Sequence, residues 1–589
     1  MPVDWKQRAS EGITVFRASR LEALLEPLDH LLRTQAPASP LAPQTVVAAH
    51  PGMRQWLAGA LAAHRGPGGI VANLEIVLPS TFLDGLARQV LGGNAVSPRA
   101  WRRESLRWHL HALLERPADP GLRAALEGGD AALRRFQLAD RLARIYTQYM
   151  AYRPEWLADW ARGRGAFDGA GFHPALWQAL QSAIGQTHRG GQLALLERKL
   201  REDGVRVAAT DPLHVFGLAH LAPAELRVLH ALAAHRPVVL YVPDPCREYW
   251  GGLRTEAAQL RELAADPFSR DAEATFLDQN HPLLAAWGRL GQHFMLQVQS
   301  LDASLDMRHY RDEADHDRPP GPLLERLQES LRRLAHSLLS EDPRTPSERR
   351  ADASLRVHAC HTRLRELEVL HDALLKARAD DPSIEPADIV VMAPDIAAYV
   401  PLLPAVFGPA GESGGDLPYH LADIPLARAS SLLTGFRRLL SLPASRLTAP
   451  ELLDFLGQPD VARRLGLDAD ALEILARWLA GARAAWGLDP AFRAAMGVPA
   501  RPENTMAWAM DRLVTSFVFG DEAAEPVHHF PDQGKVAPVP GVDAGAALPL
   551  GALDHLLQQV AGLRADAAAS LTASVWARRL EERVDALLQ

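Results

Sequence analysis

An α/β architecture with two parallel-sheet domains, each carrying a long helical stretch, is what this 589-residue sequence predicts. Three observations lead there. Short apolar runs bounded by turn signals alternate with helical periodicity over the first 90 or so residues and again around 213–242. The same alternation restarts near Leu355. Between and after these regions the chain reads as almost entirely helical.

Ile13-Thr14-Val15-Phe16 reads as the first strand, Arg17-Ala18-Ser19-Arg20 as a loop, and Leu21-Glu22-Ala23-Leu24-Leu25 as the start of a helix. Thr45-Val46-Val47-Ala48-Ala49 is a buried strand, followed by His50-Pro51-Gly52 and a helix from Met53. After the turn Arg65-Gly66-Pro67-Gly68-Gly69, Ile70 to Val77 reads as extended. From Ser97-Pro98, a cap followed by proline at the first helical position, about a hundred helical residues follow. Within them Leu138, Leu142, Ile145 and Tyr149 recur at helical spacing, and Tyr152-Arg153-Pro154 ends that helix.

Strands resume at Leu213-His214-Val215-Phe216-Gly217 and Val238-Val239-Leu240-Tyr241-Val242, with one helix between them, as in the second half of a parallel sheet. Arg308 to Pro322 is polar and proline-rich, a hinge or linker by composition. A second α/β unit is expected from Leu355-Arg356-Val357-His358, a helix over Arg365 to Leu375, Asp388-Ile389-Val390-Val391-Met392, and Leu417-Pro418-Tyr419-His420-Leu421. Beyond Ala429 the pattern is mostly helical, and Glu581 to Gln589 run out in mid-helix, an expectation of an incomplete chain.

The first turn is informative for what it lacks. A nucleotide-driven motor carries G-x-x-x-x-G-K-[ST] after its first strand, where backbone N–H groups and a lysine neutralise phosphates. No such motif occurs anywhere in the sequence. A motor also places metal-binding carboxylates after a later strand, where this chain has Phe216-Gly217-Leu218-Ala219-His220. Two catalytic stations are blank, so no nucleotide, metal or other cofactor is expected on this chain.

Other motifs read as structural. Gly411-Glu412-Ser413-Gly414-Gly415 matches G-x-S-x-G but sits between a helix and a strand, not in the strand-to-helix order of a nucleophile elbow. Glu197-Arg198-Lys199 is expected to be a salt-bridged helix surface. His358, Cys360 and His361 split between two faces of a strand, so metal closure would need a ligand from elsewhere. The two cysteines, Cys246 and Cys360, match no metal or disulfide pattern and are expected to be buried thiols.

A net charge of −8 argues against indiscriminate coating of nucleic acid. From Arg99 to Arg164, however, thirteen Arg face eight Asp and Glu, a local +5. That stretch is either a nucleic-acid groove or a set of solvated helix faces. No apolar run reaches membrane-spanning length and the N-terminus lacks a signal-peptide pattern, so a cytoplasmic location is expected.

Six blocks in order carry a resemblance: Gly52-Met53-Arg54-Gln55-Trp56-Leu57, Tyr152-Arg153-Pro154-Glu155-Trp156-Leu157, Asp244-Pro245-Cys246-Arg247-Glu248-Tyr249-Trp250-Gly251, Pro282-Leu283-Leu284-Ala285-Ala286-Trp287-Gly288, Arg365-Glu366-Leu367-Glu368-Val369-Leu370-His371-Asp372, and Ala405-Val406-Phe407-Gly408. In these the chain resembles the RecC family, the gamma chain of exodeoxyribonuclease V in the RecBCD helicase-nuclease. The resemblance implies a superfamily 1 helicase-like fold that has lost its ATPase, without the nuclease-like C-terminal domain of longer members. Its expected divisions are domain 1A over 1–92 and 206–307, a helical insertion 1B over 93–205, a linker over 308–352, domain 2A over 353–430 and a helical domain 2B over 431–589.

The resemblance further implies RecB-like and RecD-like partners that use ATP and Mg²⁺, contact with single-stranded and forked DNA, and scanning for the recombination hotspot Chi. The matched scanning positions are Ala49, Pro51, Gln55, Leu78 and Asp84, then Arg144, Ile145, Thr147, Gln148 and Arg153 on the basic insert, with Arg189 beyond it. Better-known members carry hydrogen-bonding side chains where Ala49 and Pro51 stand and acidic ones where Arg144 and Thr147 stand. A side-chain contact to a base contributes ~1–3 kcal/mol of discrimination, so a hotspot different from the best-known octamer is expected. Leu78 and Ile145 also suit a core, and Trp56 is expected to pack behind the scanning loop. An autonomous or AddB-like helicase or nuclease would be expected to carry a phosphate loop and four cluster cysteines; a pure helical scaffold would lack salt-sensitive strand binding.

Overall fold

The computed structural model describes residues 12–588 apart from 38, 40, 93–98, 166–170, 206, 208, 256–280, 309–320, 336–341, 409–416, 423–429, 521–527, 531–533 and 543–546. The expected cap at Ser97-Pro98, most of the hinge from Arg308 to Pro322, and the Gly411–Gly415 motif lie outside the described residues. The chain divides into two compact units, Met1–Arg356 and Val357–Gln589.

The first unit is organised by a six-stranded, all-parallel sheet. Its strands are β1 (Ile13–Ala18), β2 (Gln44–Ala48), β3 (Leu74–Val77), β4 (Leu213–Phe216), β5 (Val238–Pro243) and β6 (Leu305–Arg308), in the order β3-β2-β4-β5-β1-β6. Ile13 pairs with Val238, Val46 with His214 and Val15 with Asp306. The central strands are apolar on both faces, as burial between two helical layers requires. Val15, Val238, Val239 and Phe216 are all inaccessible. On one face Ile13, Val15, Val47, Leu213 and Leu240 join a large core; on the other, Phe16, Val46, Phe216, Val239 and Tyr241 join a second.

Helices α1 (Leu25–Thr34), α2 (Pro51–His64) and α3 (Pro79–Leu91) connect the early strands. A short 3₁₀ turn over Glu22–Leu24 leads into α1. The extended run expected from Ile70 forms a ladder only over β3, and Asn73, the residue before it, leaves extended geometry with φ +53°.

Between β3 and β4 the chain leaves the sheet and builds α4 (Arg103–Leu113), α5 (Pro120–Leu126), α6 (Ala131–Tyr152), α7 (Pro154–Ala161), α8 (His173–Ile184) and α9 (Arg189–Leu200). Asp130 caps α6 by accepting from the Leu133 N–H at 3.0 Å. Arg153 leaves helical geometry, and Pro154 starts α7, where its missing N–H costs no hydrogen bond. Trp101, Tyr146, Trp160 and Trp177 form the aromatic centre of this insert.

Helix α10 (Pro223–Leu232) links β4 to β5, and α11 (Pro282–Trp287) and α12 (Arg289–Gln299) precede β6. The stretch expected as a linker includes α13 (Leu323–Arg332) and α14 (Pro346–Ala351). The Arg332 carbonyl accepts from the Arg247 N–H at 2.8 Å, which ties α13 to the segment after β5.

The second unit departs from expectation. Helices α15 (Arg363–Asp380) and α16 (Leu403–Phe407) form, and the His371 and Phe407 rings meet edge-on at 5.1 Å. The three expected strands at 355–358, 388–392 and 417–421 form no ladder among the described residues. The second parallel sheet is therefore a correction: apolar, β-branched composition favours extended backbone, but a strand also needs a hydrogen-bonded neighbour.

Beyond it lies a helical assembly of α17 (Ser431–Ser441), α18 (Ala449–Leu456), α19 (Pro459–Leu465), α20 (Ala469–Gly481), α21 (Pro490–Ala495), α22 (Met506–Phe519), α23 (Ala547–Ala568) and α24 (Ala573–Leu587). A short antiparallel pair, β7 (His528–Phe530) and β8 (Gly534–Val536), precedes α23. Phe455, Leu475, Trp478, Leu513, Leu556 and Val560 share its core. Thr448 and Glu451 close a capping box at the start of α18, and Asp566 is buried against Arg579 and Arg583. Among the described residues no helix is long and apolar enough to cross a membrane.

Candidate nucleic-acid interface

Because β3, β2 and β4 are adjacent and parallel, their carboxyl ends lie along one rim of the sheet. In open α/β sheets that rim is where ligands bind. Ala49 follows β2 directly and is exposed; Leu78 follows β3 directly and is half-buried at the N-cap of α3. Pro51 opens α2 at its first turn, and the His50 Nδ1 accepts from the Gly52 N–H at 3.0 Å. Gln55 is exposed on α2. Trp56 is half-buried, its ring 6.2 Å from Phe216, which places it behind the rim.

Gly217, the residue after β4, has φ +68°, and a Cβ there would lie 3.4 Å from the Met53 side chain and 3.6 Å from Leu21. The loop after β4 therefore runs against α2, with a backbone turn that glycine adopts without strain. At its far end His220 meets the insert: its Nε2 is 2.9 Å from the Tyr152 hydroxyl, and the two rings stack with centroids 5.6 Å apart. This contact places the C-terminal end of α6 against the same rim.

On α6, Tyr146 is buried, its ring 5.5 Å from Trp177 and its hydroxyl donating to the His173 carbonyl at 3.1 Å. Helical spacing then turns Arg141, Arg144, Thr147 and Gln148 to solvent, with Ile145 half-buried. Much of the insert's positive charge is consumed internally: Arg103 and Arg107 clasp Asp140, and Arg164 pairs with Asp159. The Thr147 hydroxyl donates back to the Ala143 carbonyl at 2.8 Å. Arg153 lies over the Trp156 ring at 5.3 Å and donates to the Tyr152 carbonyl. Among the described residues, Arg141, Arg144 and Gln148 stand exposed on this face.

Asp84 and Arg189 meet each other. The guanidinium of Arg189 is 2.5 Å from Asp84 on α3 and 3.3 Å from Glu225 on α10. It joins the start of α9 to two helices packed on the same face of the sheet, with two carboxylates around one cation. His188 caps α9 by accepting from the Gly191 N–H at 3.2 Å and lies edge-on to Trp101 and Trp177. Burial pushes its imidazole from 6.5 down to about 4, so it is neutral near pH 7. Gly190 follows, and a Cβ there would lie 2.6 Å from the Met150 carbonyl oxygen and 2.9 Å from Pro154.

The structure thus brings Ala49, Gln55 and Leu78 to one rim, and His220 joins that rim to the helix bearing Arg144, Thr147, Gln148 and Arg153. Sequence reasoning missed the Tyr152–His220 pair, the Glu225 partner and the capping role of His188. Helix α9 also carries the expected salt-bridged surface, with Glu197 3.2 Å from both Arg201 and Arg227. Cys246 is buried as expected, whereas Cys360 is half-buried, because the extended segment carrying it has no sheet around it.

The end of β1, where a motor would begin its phosphate loop, carries the buried Arg17. Its guanidinium makes a two-point contact with Asp306 on β6, at 2.8 and 2.5 Å, and lies 3.7 Å from Asp244 after β5. Among the described residues no group of three or more His, Cys, Asp or Glu is arranged to hold a metal ion.

The profile of the RecC N-terminal domain matches residues 13–334, more than half of the chain. The chain belongs to the RecC family. The profile of the RecBCD enzyme subunit RecC fourth domain matches residues 429–589. RecBCD enzyme subunit RecC of Escherichia coli K12 is 30% identical over 558 residues, covering 87% of this chain and 48% of that protein. Its counterpart from Mycobacterium tuberculosis H37Rv is 31% identical over 544 residues, covering 87% and 47%. That of Haemophilus influenzae is 27% identical, covering 81% and 46%. The chain spans about half the length of the curated relatives it matches.

Proposed function

We propose that this chain is a non-catalytic subunit of a RecBCD-type helicase-nuclease, built on an inactivated helicase-like fold, that holds unwound DNA and reads one strand for a Chi-type hotspot during double-strand break repair. The observation that carries the reading is the Tyr152–His220 contact, which ties a basic helix to the rim of the parallel sheet at the strand end where a motor would hold its metal-binding carboxylates. The buried Arg17, clasped by Asp306, supports loss of the other station, since a guanidinium already paired inside the sheet gives no phosphate cradle. RecB-like and RecD-like partners would supply ATP- and Mg²⁺-dependent translocation and cleavage, in the cytoplasm.

On this reading Gln55 and Gln148 offer paired donor and acceptor groups to base edges, while Arg144 and Arg153 grip phosphate or stack on bases. Ala49 and Pro51 offer no side-chain hydrogen bond, so the preferred sequence differs from the best-known octamer. Two measurements test the proposal. The purified chain should turn over no nucleoside triphosphate with or without oligonucleotide, and should bind single-stranded DNA with an affinity that falls as salt rises. Robust oligonucleotide-stimulated hydrolysis, or salt-insensitive binding, would overturn it. Cleavage mapping with the reconstituted complex tests the hotspot, and full attenuation at the familiar octamer would contradict a recoded preference.

A further inference from the structure

The insert carries a second exposed feature towards the N-terminal end of α6, away from the Tyr152–His220 contact. Leu106 and Leu110 of α4 share a core with Ala139 and Leu142 of α6, so the two helices lie side by side and leave a seam between them on the surface. Trp108 stands on that seam and is 60% exposed. Its ring centroid is 5.7 Å from Phe136 and 5.9 Å from His111, which meets it edge-on. Arg107 lies over the Phe136 ring at 5.3 Å, and Arg135 donates from Nε to His111 Nε2 at 3.1 Å. Rings and guanidiniums therefore alternate along the seam, each of these guanidiniums held by a ring beside it.

Beyond Trp108 the seam opens into a cavity of about 580 Å³. Leu114 and Leu126 give it apolar walls, and Arg116, Arg123 and Arg135 line it together with Glu115 and Glu127. On the other side of Trp108, Arg103 and Arg107 share one carboxylate, Asp140, at 2.5 and 2.7 Å. Five arginines thus face three carboxylates along the seam, an excess of positive charge in a chain whose net charge is −8. A lone exposed indole is ordinary on a protein surface. One ringed by guanidiniums, with open cationic space beside it, matches a polymer that alternates flat π-faces with negative charges.

We propose that the α4–α6 seam is a second contact surface for single-stranded nucleic acid, in which a base stacks on Trp108 and the neighbouring phosphates meet Arg116, Arg123 and Arg135. A single strand is the occupant, because the bases of a duplex are stacked on one another and offer the indole no free face. An acidic peptide would answer the guanidiniums and leave the indole unmatched. The surface goes beyond the rim reading and shares with it only α6. Phe136 and Gln148 are twelve positions apart, ~18 Å along the helix, which is about five nucleotides at ~3.4 Å each. Phe136 and Thr147 lie within about 20° of each other around the helix axis, so a strand leaving the rim reaches the seam without crossing a buried face of α6.

Fluorescence anisotropy of a labelled oligothymidylate of about 20 nucleotides, titrated with the full chain, tests it. Trp108→Ala should weaken binding about tenfold, the order of one lost base stack, and Trp108→Phe should restore most of it. Arg116→Glu, on an exposed side chain, should weaken binding and flatten its dependence on salt while leaving the urea midpoint unchanged. Weakening by these seam variants supports the proposal whether or not Arg144→Ala weakens binding as well. Parental affinity in both Trp108→Ala and Arg116→Glu, with Arg144→Ala weakened, would overturn the seam and leave the rim reading standing; no binding by the parent chain would overturn both. Displacement of the oligonucleotide by oligoglutamate of equal length at the same concentration would also overturn it, since a site for any polyanion needs no base.

Discussion

Acidification should loosen the insert through His188, and the size of the effect follows from its surroundings. The imidazole is 6% exposed, wedged between Trp101 and Trp177, with Nδ1 committed as an acceptor at the start of α9. Burial takes its pKa from 6.5 to about 4. The folded value lies below the unfolded one, so between them the unfolded chain binds the extra proton. The stabilising contribution is complete above the unfolded value of 6.5 and is lost as pH falls toward 4. A depression of about 2.5 units at ~1.4 kcal/mol each amounts to about 3 kcal/mol once the loss is complete, and about 2 kcal/mol near pH 5. Burial also depresses His173, and His214 to about 3, so the parent protein has a shared acid-sensitive background. His188→Asn isolates the term, because the amide oxygen still caps Gly191 but does not titrate. Urea unfolding followed by tryptophan fluorescence at about pH 7.5 and about pH 5 should show the variant losing about 2 kcal/mol less than the parent over that interval. Equal losses, or an imidazole that titrates near 6.5 by NMR, would refute the reasoning.

Gly190→Ala places a Cβ 2.6 Å from the Met150 carbonyl oxygen, a backbone atom, and should cost ~1–3 kcal/mol by overpacking the corner that presents Tyr152 and Arg153; thermal denaturation together with strand binding checks it. Arg17→Ala leaves Asp244 buried without its guanidinium and should destabilise the first unit by ~3–5 kcal/mol, read from urea midpoints with fluorescence, while restoring no nucleotide turnover. Arg144→Ala should weaken single-strand binding and lower the slope of log affinity against log salt by about 0.7, the value for one phosphate contact; an unchanged slope would remove it from the interface. Arg189→Ala should reduce stability with no change in that slope, because its charge is already spent on Asp84 and Glu225.

The sequence was most legible where local pattern and long-range need coincide. Strands β1, β2, β4 and β5 are apolar runs bounded by turns, and burial on both faces demands that composition. β6 went unread because Leu305-Asp306-Met307-Arg308 is a short, half-polar edge strand. Asp306 makes sense only once Arg17 lies beside it, 289 residues earlier in the chain. The second unit shows the converse. Val390 and Val391 read as strand on the same grounds as Val238 and Val239, but a ladder is a property of two segments, and one segment's composition does not reveal whether the other is present.

The interface follows the same division. Gln55 and Arg144 stood out through family resemblance, and helical spacing alone sets Arg144 and Gln148 opposite the buried Tyr146. What organises them is not local: Tyr152 and His220 are 68 positions apart, and Asp84 and Arg189 are 105 apart. Both ties fall at places where a working motor has other business. The loop after β4 would hold metal-binding carboxylates and instead stacks a histidine on the insert. The end of β1 would lead into a phosphate cradle and instead buries Arg17 against two aspartates. On the proposed reading such a site has no nucleotide cycle to open and close for, and these contacts tie the insert to the sheet. If the chain reads bases as proposed, a fixed spacing between Gln55 at the rim and Gln148 on α6 serves that reading, since discrimination depends on donors and acceptors held at set positions while the strand moves past.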